Sequence, residues 1–271
     1  MLSKIRAIAM VIIPAAAVLA AWYLRPIWAW VTVVILLLAF IVFAGKQIVE
    51  LWRGALIDER NKTSLSRFQT VLWTVLIVSA FLIAAVYNVR TKQADPLEIS
   101  VPAELWVVLG ISVTSLIGSG IIKQEQAKTT PEPDSARLAL SKDPAIATDN
   151  IHEEGNCLIV ADRVGADPAD KTVVTKGILT VNDKPEKSSW LDMFRAEEIG
   201  SIGRLDLGKI QMFYFTIIIV FSYGAALASL LATSSGKVAA FPSLSQSAIA
   251  LLGISHAAYL VDKAVPRTVT T

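Results

Sequence analysis

The side chains with the most chemical potential in this sequence stand inside or beside long apolar runs. His256 is the one titratable group well within such a run. An imidazole in that position can relay a proton, but it more simply bridges neighbouring helices by hydrogen bonds. Ser112, Ser115 and Ser119 are spaced to share one helix face, and Ser255, Ala258 and Asp262 follow the same spacing 143 residues later. A stripe of hydroxyls packs helices by bonding back to its own carbonyls, or it lines a pore or ligand cavity. Beside it, Gly110, Thr114 and Gly118 form a ladder of small residues at i, i+4 and i+8, with Gly253 and Ala257 as its counterpart. Such ladders let a second helix approach closely.

The remaining combinations of reactive residues point away from catalysis. The stretch His152-Glu153-Glu154-Gly155-Asn156 lacks the second histidine of a helical zinc motif. Asp162, Asp167 and Asp170 surround Gly165 without the spacing or terminal glutamate of a calcium loop. Cys157, the only cysteine, opens an apolar run and reads as a small core residue rather than a nucleophile. No phosphate-cradling glycine loop or serine elbow occurs. The expectation is no catalytic residue, no metal, no cofactor and no enzymatic activity. With 25 basic against 23 acidic residues, and no basic block interleaved with aromatics, nucleic acid is not an expected partner.

These residues are carried by segments of membrane-spanning length. Hydrophobic residues make up 54% of the chain and the mean hydropathy is +0.56, so several runs reach the roughly 20 residues that cross a bilayer. The predicted fold is an all-α membrane protein of six transmembrane helices. An N-terminal hairpin occupies 1–50, with Ala7 to Tyr23 read as an uncleaved helix rather than a secretory signal. A linker at 51–67 follows. Lys46, Arg53, Arg60, Lys62 and Arg67, in or beside that linker, argue for the cytoplasmic side. Spans at 68–122 and 206–264 form two further pairs, with a polar insert at 123–205 between them and a tail at 265–271. The insert reads as a flexible tether over 129–150, then short strands at 157–161 and 172–181, then an amphipathic surface helix over 188–199. Trp190, Met193 and Phe194 mark the apolar side of that helix, facing the membrane surface or a partner.

The two later pairs echo one another. Ser64-Leu65-Ser66-Arg67-Phe68-Gln69 with Thr74 matches Asp206-Leu207-Gly208-Lys209-Ile210-Gln211 with Thr216, at a constant separation of 142 residues. Leu109-Gly110-Ile111-Ser112 matches Leu252-Gly253-Ile254-Ser255 at 143. Two spans per copy make the repeats parallel, related by an axis along the membrane normal. Gln69 and Gln211, one turn inside the interface, suit interhelical hydrogen bonding at least as well as ion coordination.

The Trp190 to Phe194 segment, the Asp206 to Phe213 entry and the Leu252 to Ala257 core resemble segments of an uncharacterised bacterial multi-span inner-membrane protein family. The resemblance implies a bacterial inner-membrane location and brings no activity or ligand with it. Six spans with this charge bias place both termini and the insert in the cytoplasm. The leading functional expectation is a non-enzymatic anchor or scaffold that presents the insert to a cytoplasmic protein partner. A homo-oligomeric channel lined by the serine stripe is the alternative, and a passive small-molecule transporter comes third.

Overall fold

The computed structural model describes residues 2–141, 151–154, 157–161 and 171–267. The expectations for 142–150, Gly155-Asn156 and Asp162 to Asp170 lie outside those residues. The chain forms two compact units. The first comprises Met1–Ala55, Ser66–Val113 and Phe213–Ile254, and the second Leu56–Leu65, Thr114–Met212 and Ser255–Thr271.

The molecule is mostly helical. Its α-helices are α1 (Leu2–Tyr23), α2 (Pro26–Val49), α3 (Leu65–Arg90), α4 (Ala103–Lys128), α5 (Pro133–Leu140), α6 (Leu207–Thr233) and α7 (Gln246–Ala264). Four of the described helices, α2, α3, α4 and α6, are long and apolar enough to cross a membrane. In α1 the apolar stretch is the shorter Met10–Tyr23. The 19 residues of α7 include His256, Asp262 and Lys263, which dilute its apolar character.

In the first unit, α1 and α2 form the hairpin that the two-residue connection requires. Pro26 opens α2 at the position where a missing amide costs nothing. The core gathers Val33, Trp73, Ala80, Ile83, Leu105, Tyr223 and Leu227. Two pairs of polar groups bond inside it: Trp30 Nε1 donates to Ser79 Oγ at 3.0 Å, and Asn88 Nδ2 donates to Val238 O at 3.0 Å while its Oδ1 accepts from Val238 N at 2.8 Å. Gly45 and Gly54 let two backbones touch. A Cβ on Gly45 would lie 2.6 Å from Ala55 N, and one on Gly54 would lie 2.5 Å from Gly45 O.

The second unit holds the polar insert. Strands β1 (Ile151–Glu154), β2 (Cys157–Ala161) and β3 (Lys171–Val173) form an antiparallel sheet in the order β1-β2-β3. Strands β4 (Thr175–Lys176) and β5 (Leu179–Thr180) form a hairpin. Its small core joins Ala136, Ala139 and Leu140 to Leu158 and Ile199.

Two expectations for the insert are corrected. The tether is interrupted by α5, which Glu132 caps by accepting from Ser135 N at 2.8 Å. Eight residues are too few to show a helical period in the sequence, but burial of three apolar residues on one side is enough once a sheet lies against them. The surface helix over 188–199 is replaced by a 3-10 turn at Trp190–Met193 and another at Ile199–Ser201. A capping box between Ser189 and Asp192 closes the first turn. Backbone pairing then draws the following residues into extended structure, with Thr180 N donating to Glu197 O at 2.9 Å and Ile199 N to Ile178 O at 2.9 Å. Tertiary pairing overrides the helical pattern. Met193, expected on the surface, is buried, whereas Trp190 is 53% exposed and Phe194 half-buried.

Candidate functional site

Within the second unit, a tight turn bridged at Ile57 and Thr63 places Asp58 and Arg60 side by side. Asn61 takes the left-handed conformation the turn needs, at φ 56°, one that asparagine tolerates better than most residues. Its Nδ2 donates to Asn182 O at 2.8 Å, and its own backbone carbonyl accepts from Asn182 Nδ2 at 2.9 Å.

Asp58 Oδ2 accepts from Arg60 Nη2 at 2.8 Å and from Lys123 Nζ at 2.6 Å. Glu197 Oε1 accepts from Arg60 Nη2 at 3.1 Å and Lys209 Nζ at 2.9 Å. Lys123 Nζ stands 3.9 Å from the same oxygen, and Lys263 pairs with Glu197 Oε2. Four cations thus surround two carboxylates, and every side chain in the set is 10% exposed or less. Beside them, Gln126 Nε2 joins Glu198 Oε1 at 2.9 Å to the carbonyl of Lys263 at 3.0 Å. Lys263 Nζ also donates to Tyr259 Oη at 3.1 Å.

Burial alone would raise both carboxyls, yet the fields of Arg60 and Lys123 hold Asp58 well below the usual carboxylate range. The same two cations, with Lys209 and Lys263, hold Glu197 low against its own burial. Every carboxylate in the set is engaged by a cation, so none is poised as a base or nucleophile. The arrangement is suited to holding segments in place. It joins the Asp58 turn, the C-terminal part of α4, the last turn of α7, the first turn of α6 and the Glu197 segment of the insert. A cleft of about 30 Å³, lined by Glu197, Glu198, Lys209, Tyr259, Lys263 and Arg267, opens beside it. That volume is of the order one water occupies. Among the described residues no group of three or more His, Cys, Asp or Glu could hold a metal ion.

Lys62 lies at the edge of the set, donating to Thr180 Oγ1 at 2.7 Å. Burial and then repulsion from Arg60 push its ammonium down to about 8. A larger share of Lys62 is therefore expected to be neutral near pH 7 than of exposed lysines, which titrate near ~10.4. Competitive labelling read by mass spectrometry across pH should place its midpoint near the lower value; a midpoint shared with exposed Lys128 would refute the assignment.

The residues singled out in the sequence divide into two groups. Ser112, Ser115, Ser119, Ser255 and His256 are buried, as are Gln69 and Thr216. Gly110, Thr114, Gln211, Thr74 and Asp262 are exposed, and Gly253 is half-buried. The small-residue ladder is therefore only partly used within the chain. A Cβ on Gly118 would meet Leu260 at 3.4 Å, one on Gly253 would meet Ile111 at 3.8 Å, and nothing lies within 4 Å of Gly110. Ser119 Oγ bonds back to Leu116 O at 3.1 Å, while Ser115 Oγ, Ser255 Oγ and His256 Nδ1 are buried without a hydrogen-bond partner. Asp262 is ion-paired with Arg267.

Gln69 Nε2 donates to Thr216 Oγ1 at 2.7 Å, joining the first copy of the echoed motif to the second. The reciprocal pair, Gln211 and Thr74, is exposed. Burial along α3 and α6 runs in phase at a separation of 143, as in Trp73 and Thr216 or Ala84 and Leu227, one residue off the sequence match. One residue turns a helix by about 100°, so the echoed marks face different surroundings.

Sequence reasoning missed the ionic set. Its one signal is that Lys123, Lys209 and Lys263 each stand at the end of an apolar run, where a base more commonly snorkels to water. No protein-family model, curated protein or solved structure matches the chain.

Proposed function

We propose that this chain is a non-enzymatic scaffold of a bacterial inner membrane, with six spans and with both termini and the insert in the cytoplasm. In this reading α1 and α7 span as well, completing the hairpin and the second pair. The bases of the 51–67 linker support the orientation, since loops rich in Lys and Arg remain inside. The observation that carries the scaffold reading is the buried ionic set. A single acidic residue of the insert, Glu197, is gripped by Arg60, Lys209 and Lys263. A small polar domain held in this way is offered to a partner in one orientation, at less cost in entropy on binding.

The test is extraction from the native membrane in mild detergent, followed by size-exclusion light scattering with identification of every component. The scaffold predicts a second protein in fixed stoichiometry that is lost when Glu197 is replaced. A homo-oligomer without a second component would overturn it. That result would favour the alternative reading, a homo-oligomeric channel, which draws support from the unpartnered polar atoms of Ser115, Ser255 and His256. A cysteine placed at Ser115 that no water-soluble thiol reagent reaches would in turn remove the channel.

A further inference from the structure

The Trp190–Met193 turn departs from its expected form in a way that sorts its apolar residues. Met193 is drawn into the insert at 4% exposure, while Trp190 and Leu191 project outward at 53% and 58%. The capping box of Ser189 and Asp192, with Asp192 Oδ2 accepting from Ser189 N at 2.7 Å, fixes that choice. Two large apolar side chains on a rigid turn form a surface that water does not favour.

The place of this surface follows from backbone bonds. Asp206 N donates to Phe194 O at 2.8 Å, and Arg195 pairs with Leu205 across an antiparallel bridge. Asp206 also caps the next element, accepting from Lys209 N at 3.1 Å, and α6 begins at Leu207. The turn is therefore hydrogen-bonded to the residues that immediately precede a helix long and apolar enough to cross a membrane. Four residues span at most ~14 Å, so Trp190 stays near the level at which α6 enters the bilayer. Leu205 and Leu207, 61% and 73% exposed, add apolar surface at the residues to which the turn is bonded. Arg195, its side chain 57% exposed, and Arg204 add cations beside it.

We infer that Trp190, Leu191, Leu205 and Leu207 form a foot seated in the interface of an anionic lipid leaflet, with Arg195 and Arg204 on its lipid phosphates. Indole favours that depth because its ring is apolar and its N–H remains hydrated. Juxtamembrane Arg and Lys are attracted to an anionic leaflet. The foot adds a second attachment of the insert beside the span. The inference rests on the membrane reading of the chain and requires no protein partner.

The test places a nitroxide at Trp190→Cys, and separately at Leu191→Cys, in a Cys157→Ser background. The full chain is reconstituted in vesicles of phosphatidylcholine with or without phosphatidylglycerol. Collision rates are measured with oxygen and with a water-soluble nickel chelate. A foot in the lipid gives an oxygen-to-nickel ratio several-fold above that of the free label in buffer, rising further when phosphatidylglycerol is present. A ratio equal to that of the free label at both positions overturns the inference and leaves the scaffold reading standing. Low accessibility to both reagents means that protein covers the turn, which overturns the lipid assignment and assigns this face to a protein contact. Failure of the chain to float with the vesicles overturns the membrane reading on which both rest.

Discussion

Glu197→Gln is expected to destabilise the chain by about 3–5 kcal/mol, the range for breaking a buried ion pair by removing one partner. Glutamine keeps the volume of the side chain and removes its charge. Arg60, Lys209 and Lys263 would then remain buried around a neutral amide, and Asp58 would be the only carboxylate left in the set. Thermal unfolding in detergent and the rate of proteolysis of the insert both report the loss. Glu125→Gln is the control, because Glu125 and Lys128 form an exposed pair and such pairs contribute no more than about 1 kcal/mol. Equal melting temperatures for Glu197→Gln and the wild type would refute the clamp.

The same prediction has a pH arm. Glu197 and Asp58 are held below the usual carboxylate range in the folded chain, so the folded state binds fewer protons than the unfolded one in acid. Their contribution is complete above the unfolded carboxylate value of about 4 and is lost as pH falls from there through the lower folded values. The Glu197→Gln variant lacks its share at every pH. Its melting curve should therefore approach that of the wild type in strong acid and separate from it towards neutrality. A separation that is constant across pH would mean that packing, and not charge, sets the cost.

Gly177→Ala is the second large effect, expected at about 2–5 kcal/mol from backbone strain and overpacking together. Gly177 turns the chain between β4 and β5 at φ 59°, in the left-handed region where a side chain is disfavoured. A Cβ there would also lie 2.3 Å from Gln126 O and 2.6 Å from Ala127 C. Those atoms belong to backbone near the end of α4 and cannot rotate away. The close approach is used, because Ile178 N donates to Gln126 O at 3.1 Å and the Ile178 side chain is fully buried. Gly203→Ala separates the two causes. Gly203 has φ 73° and nothing within 4 Å of an added Cβ, so it reports conformational strain alone, about 1–2 kcal/mol. Similar losses in melting temperature for the two variants would show that the contact with α4 carries no weight.

The long apolar helices α2, α3, α4 and α6 were legible in the sequence because their cause is local in composition. Apolar runs bounded by charge and proline specify where a chain can leave water, and α2, α3, α4 and α6 lie where those runs lie. Helical spacing put Ser112, Ser115 and Ser119 on one face, and all three are buried, whereas Asp262, in the matching stripe, is exposed. The ionic set was not legible. Asp58, Lys123 and Glu197 are far apart in sequence, and each taken alone reads as a solvated charge. Only folding brings Lys123, Lys209 and Lys263 to carboxylates that keep them charged out of water. The insert shows the same division, since α5 and the turn at Trp190 depend on residues that meet them in space. Hydrophobic patterning, a property of neighbouring residues, is set by the sequence directly, whereas the pairing of buried charge depends on distances that exist only in the tertiary structure.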